Sequence, residues 1–277
     1  ITVDNVSTSA NSLGLDVDNN STITALSVAN ITPVSIAGSK ILSGAITVTA
    51  GSLKLNETGT LASTISMSGG VLDADESSTV SGALSHTADI TIDVADNKTL
   101  TYSGAAISLG ANTLTLSGGG SLVSGGLTLN DTSSKLLLNS ITVDNVSTSA
   151  NSLGLDVDNN STVTSLSVAN ITPVSIASGK TLSGAITVTA GSLKLDETGT
   201  LASTISMSGG TLDADNSSTL SGTLTQAGNI TIDVADDKTL TYSGAALSLG
   251  AYTLTLSGGG TLVSGGLTLN NADSKLL

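Results

Sequence analysis

Two apolar residues flanking a serine or threonine recur along this chain every 20 residues or so, and that spacing restricts the fold more than anything else in the sequence. The series opens with Val6-Ser7-Thr8 and continues through Leu26-Ser27-Val28, Ile46-Thr47-Val48, Ile65-Ser66-Met67, Leu84-Ser85-His86, Ile107-Ser108-Leu109 and Leu127-Thr128-Leu129. The steps are 20, 20, 19, 19, 23 and 20 residues, and a further 19 reaches Val146, where the series begins again. Residues 141–277 rewrite residues 1–137 with 22 differences. The chain is therefore a tandem array, and a period of this length marks a stacked-repeat architecture. The duplication also allows any residue to be compared with its partner 140 positions away.

A second ladder runs in phase with the first: Leu15-Asp16-Val17, Val34-Ser35-Ile36, Leu53-Lys54-Leu55, Leu72-Asp73-Ala74, Ile92-Asp93-Val94, Leu114-Thr115-Leu116 and Leu136-Leu137-Leu138. A looser third ladder starts at Ile1, Ile23, Leu42, Leu61, Val80, Leu100 and Leu122. Each triplet alternates with period two, which places its outer residues on one side and its middle residue on the other, as in a short half-buried strand. Segments such as Asp18-Asn19-Asn20-Ser21 and Gly118-Gly119-Gly120 separate the triplets and supply turns. A helical reading fails, because no 3.6-residue period appears and Ser, Thr, Gly and β-branched residues dominate. Sandwiches and propellers need antiparallel hairpins, and Asn-Gly or Asp-Gly hairpin signals are missing.

The sequence thus predicts an all-β chain, a right-handed parallel β-helix with three short strands per coil and about 14 coils, a rod of roughly 65 Å. Coils of variable length suit the right-handed form, since a left-handed hexapeptide helix keeps a stricter beat. Residues 1–140 form the first seven-coil repeat and residues 141–277 the second, with no boundary expected between them, because both ladders cross Ser140–Ile141 in step. A single coil buries too little to stand alone, so neighbouring coils must stabilise one another and the ends are open templates. No charged or helical cap is visible at Ile1 or Leu277, and the second copy stops short of Leu138-Asn139-Ser140. Both features lead us to expect a slice of a longer array.

Composition narrows function. The chain has no Phe, Trp, Cys or Arg, three Tyr and one His, and a formal charge of −14 from 22 acids against 8 Lys. A diffuse acidic surface with no basic stripe repels phosphate backbones, which argues against nucleic-acid binding. No apolar run is long enough for a membrane helix, and three Tyr do not build the aromatic girdles of a transmembrane barrel, so no membrane insertion is expected. Without cysteine there are neither disulfides nor thiolate metal sites.

Few residues qualify for chemistry. His86 sits at an inward position of the first ladder, in line with Val48 and Met67, but its counterpart is Gln226, which favours a satisfied interior polar residue over a catalytic or metal-binding one. Asp16, Asp18, Asp73 and Asp75 are the calcium candidates. Asp16-x-Asp18-x-Asn20 opens like a calcium loop but lacks the Gly and the distal Glu that complete one. Lys54, Asp73 and Asp93 should stack on successive coils as an exposed ion pair beside a solvated carboxylate. Asn-x-Ser/Thr triplets occur at 13 of 19 Asn, with Asn5, Asn20, Asn30, Asn145, Asn160 and Asn170 the candidates for N-glycosylation. Turn preferences for Asn beside Ser or Thr explain the same density. The column Ser7, Ser27, Thr47, Ser66, Ser85, Ser108, Thr128 forms a face of small hydroxyls suited to solvation or to lateral packing. Ice-binding solenoids carry Thr-x-Thr in every coil, and this column offers it only at Thr47-Val48-Thr49.

The segment Gly110-Ala111-Asn112-Thr113-Leu114-Thr115-Leu116-Ser117-Gly118-Gly119-Gly120-Ser121-Leu122 resembles the Gly-x-Leu-x-Leu repeats of large bacterial surface proteins, the autotransporter passengers and filamentous-haemagglutinin-like adhesins. The resemblance is compositional and covers the whole chain. It implies a right-handed β-helix, secretion, and a role as stalk, adhesin or fibre. Sheath or fibre proteins of archaea would account for the sequons equally well. Polysaccharide-cleaving β-helices use Arg, His or Lys beside carboxylates together with aromatic platforms, residue types nearly absent here. We therefore expect a non-enzymatic structural module of an extracellular fibre, filament or cell-surface layer, needing no cofactor unless calcium binds, with itself as main partner. Host or cell-surface glycans are further partners if the chain is instead the stalk of an adhesin whose binding region lies elsewhere.

Overall fold

The computed structural model describes residues 1–277 as 37 strands with no helix. They pair in parallel and stack as a β-solenoid of about 14 turns, each roughly 20 residues long. Two compact units are distinguished: Ile1–Thr128 with Asn139–Asp144, and Leu129–Leu138 with Asn145–Leu277. In the first unit the second ladder is carried by Leu15–Val17, Ile31–Ile36, Ser52–Leu55, Val71–Ala74, Ile90–Val94 and Thr113–Ser117. In the second unit it runs from Lys135–Asn139 through Gly154–Val157, Ile171–Ile176, Ser192–Leu195, Thr211–Ala214, Ile230–Val234 and Thr253–Ser257 to Lys275–Leu276.

The alternation in each triplet decides which side chains enter the core. Leu26 and Val28, Ile46 and Val48, and Leu53 and Leu55 are buried, while Ser27 and Thr47 between them are exposed. Each apolar side chain lies against the equivalent one a coil above and a coil below, so burial and the parallel hydrogen-bond ladder grow together. Two aromatic plugs interrupt this aliphatic interior. The Tyr102 hydroxyl accepts the backbone N–H of Leu84 at 3.0 Å, and Tyr242 does the same for Leu224 at 3.1 Å. A Cβ at Gly104 or Gly244 would run into these rings, so both glycines keep space for them.

Register follows expectation along the first ladder: Val6 faces Leu26, Leu26 faces Ile46, Ile46 faces Ile65, and Ile65 faces Leu84. The other two ladders need correction by two residues at several steps. Val34 pairs with Leu55 rather than Leu53, and Ile92 with Leu116 rather than Leu114. In the third ladder Ile23 faces Val3 on one side and Gly44 on the other, while Val80 faces Tyr102 and Leu100 faces Ser78. A shift of two leaves every side chain on the same face, so the hydrophobic pattern does not distinguish the registers.

The three-strand coil is also modified at the start of each copy. Ser21–Val28 and Ile41–Val48 are single eight-residue strands that carry the third and first ladders together, as are Ser161–Val168 and Thr181–Val188. The corner is turned inside the strand by a bulge, where register shifts between Ile23 and Leu26 and again between Val163 and Leu166. Gly44 and Gly184 stand opposite these bulges with φ of 129° and 124°, and a Cβ on either would strike the carbonyl of Ile23 or Val163.

Candidate functional site

The hydroxyl column is present as expected. Ser7 pairs with Ser27, Ser27 with Thr47, Thr47 with Ser66, and Ser66 with Ser85, while Ser108 pairs with Thr128. The second copy repeats it through Ser147–Ser167, Ser167–Thr187, Thr187–Ser206, Ser206–Thr225 and Ser248–Thr268. Successive hydroxyls stand one inter-strand spacing apart, about 4.8 Å. Several hydroxyls on and beside this face turn back to the neighbouring coil: Thr8 donates to the Ser27 carbonyl at 3.4 Å, Thr49 to that of Val28 at 3.4 Å, and Ser85 to that of Ile65 at 3.5 Å. Each such bond partly satisfies the face from within.

On the second-ladder face Lys54 lies beside Asp73 and Asp73 beside Asp93, the stack read from the sequence, while Asp93 lies beside Ser117 and not the expected Thr115. Lys54 Nζ is 2.8 Å from Asp73 and 3.0 Å from Asp75. In the second copy Lys194 is 3.7 Å from Asp213 and 2.7 Å from Asp215. The expected exposed pair is in fact half-buried, because Ser52 donates to Asp73 at 3.4 Å and neighbouring coils shield the carboxylate. Asp93 accepts a hydrogen bond from Ser117, and Asp233 one from Ser257.

Burial raises Asp73 above the usual carboxylate range, with the Lys54 hydrogen bond pulling the other way. Burial likewise raises Asp196 and Asp213. Lys54 is raised by its hydrogen bond to Asp73, so the lysine gains from the pair while for the aspartate desolvation outweighs it. A carboxylate with a raised folded-state pKa favours the fold below its unfolded value and loses that contribution as pH climbs through the folded value. Relief of the self-repulsion of a chain carrying −14 acts in the same direction. Lowering the pH from 7 to about 4 should therefore raise the thermal midpoint. A scan that shows the midpoint falling steadily over that interval would remove these buried aspartates as the dominant titrating groups.

The calcium candidates do not assemble. Lys54 already bridges Asp73 and Asp75, Asp16 pairs in register with Ser35, and no three acidic or histidine side chains come together to hold a metal ion. His86 faces Met67 as the ladder requires. It is half-buried, not enclosed: Nδ1 meets the Ala88 carbonyl at 3.1 Å and buried Nε2 has no partner. Gln226 in its place sends Nε2 to the Thr253 carbonyl at 2.8 Å. The two side chains thus solve the same interior position differently, each leaving one polar atom unsatisfied.

The sequon asparagines divide by what their amides do. Asn30 and Asn170 donate Nδ2 to the carbonyls of Thr8 and Thr148 at 3.1 and 3.2 Å, so a glycan on that nitrogen would compete with an inter-coil bond. Asn20 and Asn160 are exposed and use only Oδ1, which accepts Ile41 N–H at 3.1 Å and Thr181 N–H at 3.0 Å. Asn5 and Asn145 are exposed as well, Asn145 with φ of 41°. Sequence reasoning missed this corner device: a turn side chain accepts the first amide of a strand one coil on. Asp89 takes Thr113 N–H at 2.7 Å, and Asn229, its counterpart, takes Thr253 N–H at 2.9 Å. The signal was available as Asn or Asp recurring just ahead of apolar triplets.

No family model matches the chain, and no curated protein or solved structure matches it either. The likeness to bacterial surface-protein repeats is accordingly one of composition.

Proposed function

We propose that this chain is a non-enzymatic structural repeat module of an extracellular fibre, filament or cell-surface layer, whose two copies serve as interchangeable lengths of wall. The observation that carries this reading is how the copies differ. His86 is exchanged for Gln226, and Glu76, which holds Lys98 at 2.6 Å, for Asn216. Asp89 becomes Asn229 with the hydrogen bond to the next coil retained. Titratable groups are shuffled between the copies, lost at Glu76, His86 and Asp89 and gained at Asp196, Asp237 and Asp273, while the apolar ladders that stack one coil on the next are kept. Selection on a reaction would do the reverse.

Hydroxyl faces of small side chains suit lateral packing of such walls, and exposed Asn20 and Asn160 suit a glycosylated exterior. Negative-stain images of native material provide the test. Uniform filaments with an axial repeat of about 34 Å, seven coils at the inter-strand spacing, support the reading. A tapered rod with a distinct tip would replace it with an adhesin stalk, and dispersed single molecules would remove it.

A further inference from the structure

The charged cluster on the second-ladder face is arranged differently in the two copies. In each, a lysine lies beside an aspartate one coil on, Lys54 beside Asp73 and Lys194 beside Asp213, with Asp75 or Asp215 two residues further along. One member has changed: Asn56 of the first copy is Asp196 in the second. In the first copy Lys54 reaches Asp73 at 2.8 Å and Asp75 at 3.0 Å, and Ser52 donates to Asp73 at 3.4 Å. In the second, Lys194 keeps Asp215 at 2.7 Å but stands 3.7 Å from Asp213. There the Oδ1 atoms of Asp196 and Asp213 and the hydroxyl of Ser192, the counterpart of Ser52, are buried without a hydrogen-bond partner, whereas in the matching cluster Asn56 Oδ1 alone is left so.

Charge accounts for the difference. Asp196 sets a third carboxylate around one ammonium group and adds its own pull on Lys194. Asp156, two coils before, and Asp233, one coil after Asp213, also bear on these carboxylates. Both are otherwise engaged, since Lys135 pairs with Asp156 and Ser257 donates to Asp233. The intervening strand Ile171–Ile176 presents Pro173 and Ser175 and no charge, and Asn216 gives its amide to the Asp196 backbone carbonyl. Lys194 is left to serve three carboxylates. Asp213 and Asp215 stand within hydrogen-bonding reach of each other, whereas Asp75 bears on Asp73 through its charge. Ionised carboxylates only accept, so a bond between two of them needs a proton.

We propose that this cluster is a proton-binding site of the second copy: Asp213 takes up one proton from solvent and donates it to Asp215, Lys194 stays on Asp215, and the coils from Ser192–Leu195 to Ile230–Val234 tighten as the bond forms. Asp196 confers the response, and Asn56 does not. Burial raises Asp213 and Asp196 above the ordinary carboxylate value of 3.8, where the first-copy cluster has Asp73 so raised. A carboxyl group raised in the folded state favours the fold below its unfolded value, and that contribution is lost as pH climbs through the folded value. The second copy therefore gains more than the first as pH falls from 7 to about 4. Nothing in this depends on the fibre reading; it makes two otherwise matched lengths of wall unequal in acid.

Hydrogen exchange on the full chain tests the proposal, because one molecule carries both clusters. Protection factors of Ser192–Leu195 and Thr211–Ala214 should rise between pH 7 and about 4 at least roughly threefold more than those of Ser52–Leu55 and Val71–Ala74. Asp196→Asn should bring the two copies to the same response, chiefly by raising second-copy protection at pH 7, and Asn56→Asp should give the first copy the larger response. Each new residue already stands at the equivalent place in the other copy, so both variants should fold. An equal rise in the two copies of the wild-type chain would overturn the proposal. So would an Asp196→Asn variant whose protection changes by the same factor at both pH values, which is the behaviour of a purely structural residue.

Discussion

Replacing Gly44 with alanine should lower stability by about 2–6 kcal/mol, and Gly184→Ala should do the same in the second copy. Two effects add at these positions. A φ of 129° or 124° belongs to glycine, and holding another residue there costs about 1–3 kcal/mol. The new Cβ also meets the carbonyl of Ile23 or Val163, which is fixed in the bulge and has nowhere to retreat, adding about 1–3 kcal/mol of overpacking. The protein supplies its own control at Gly179, where φ is 71° and nothing lies within 4 Å of the Cβ position. The first copy has Ser39 there, at φ of 65°. Gly179→Ser should cost less than about 1 kcal/mol. Urea midpoints give the totals, and hydrogen exchange shows whether the loss is confined to the coils around the bulge, since long arrays need not unfold in one step. Equal losses at Gly44 and Gly179 would mean that backbone conformation alone matters and that the carbonyl opposite the bulge does not.

That bulge also marks where sequence reasoning stops. The fold class, the inward and outward faces and the Lys54–Asp73–Asp93 stack were legible because alternation and a 20-residue beat fix which residues can be neighbours in a coil stack. Steps such as Val34 to Leu55 were not, because a two-residue slip preserves the burial pattern and only the length of the intervening corner chooses between them. Gly44 lies within a continuous strand, and its role depends on a carbonyl that is 21 residues back in sequence. Tyr102 has the same character, since its hydroxyl serves an amide 18 residues earlier. His86 was placed on the correct face by phase, but its half-buried position and its unsatisfied nitrogen depend on the local path through Ala88. Among the candidate site residues, the sequence located each on the solenoid but did not reveal which amides were already engaged, because those bonds run between coils.

The second large effect separates sequence from position. Leu136→Ala should cost about 2–5 kcal/mol, the range for a buried leucine that leaves a partly collapsed cavity. Leu276→Ala, the same substitution in the same local sequence, should cost less, about 1–2 kcal/mol, because that side chain is 41% exposed. Leu136 lies beside Leu155 and has no exposed surface, whereas Leu276 is partly exposed. The difference between the two variants therefore measures what one further coil contributes at this position, with propensity and local sequence held constant. Urea midpoints of the two variants check this, and equal losses at Leu136 and Leu276 would mean that burial by the neighbouring coil does not set the cost.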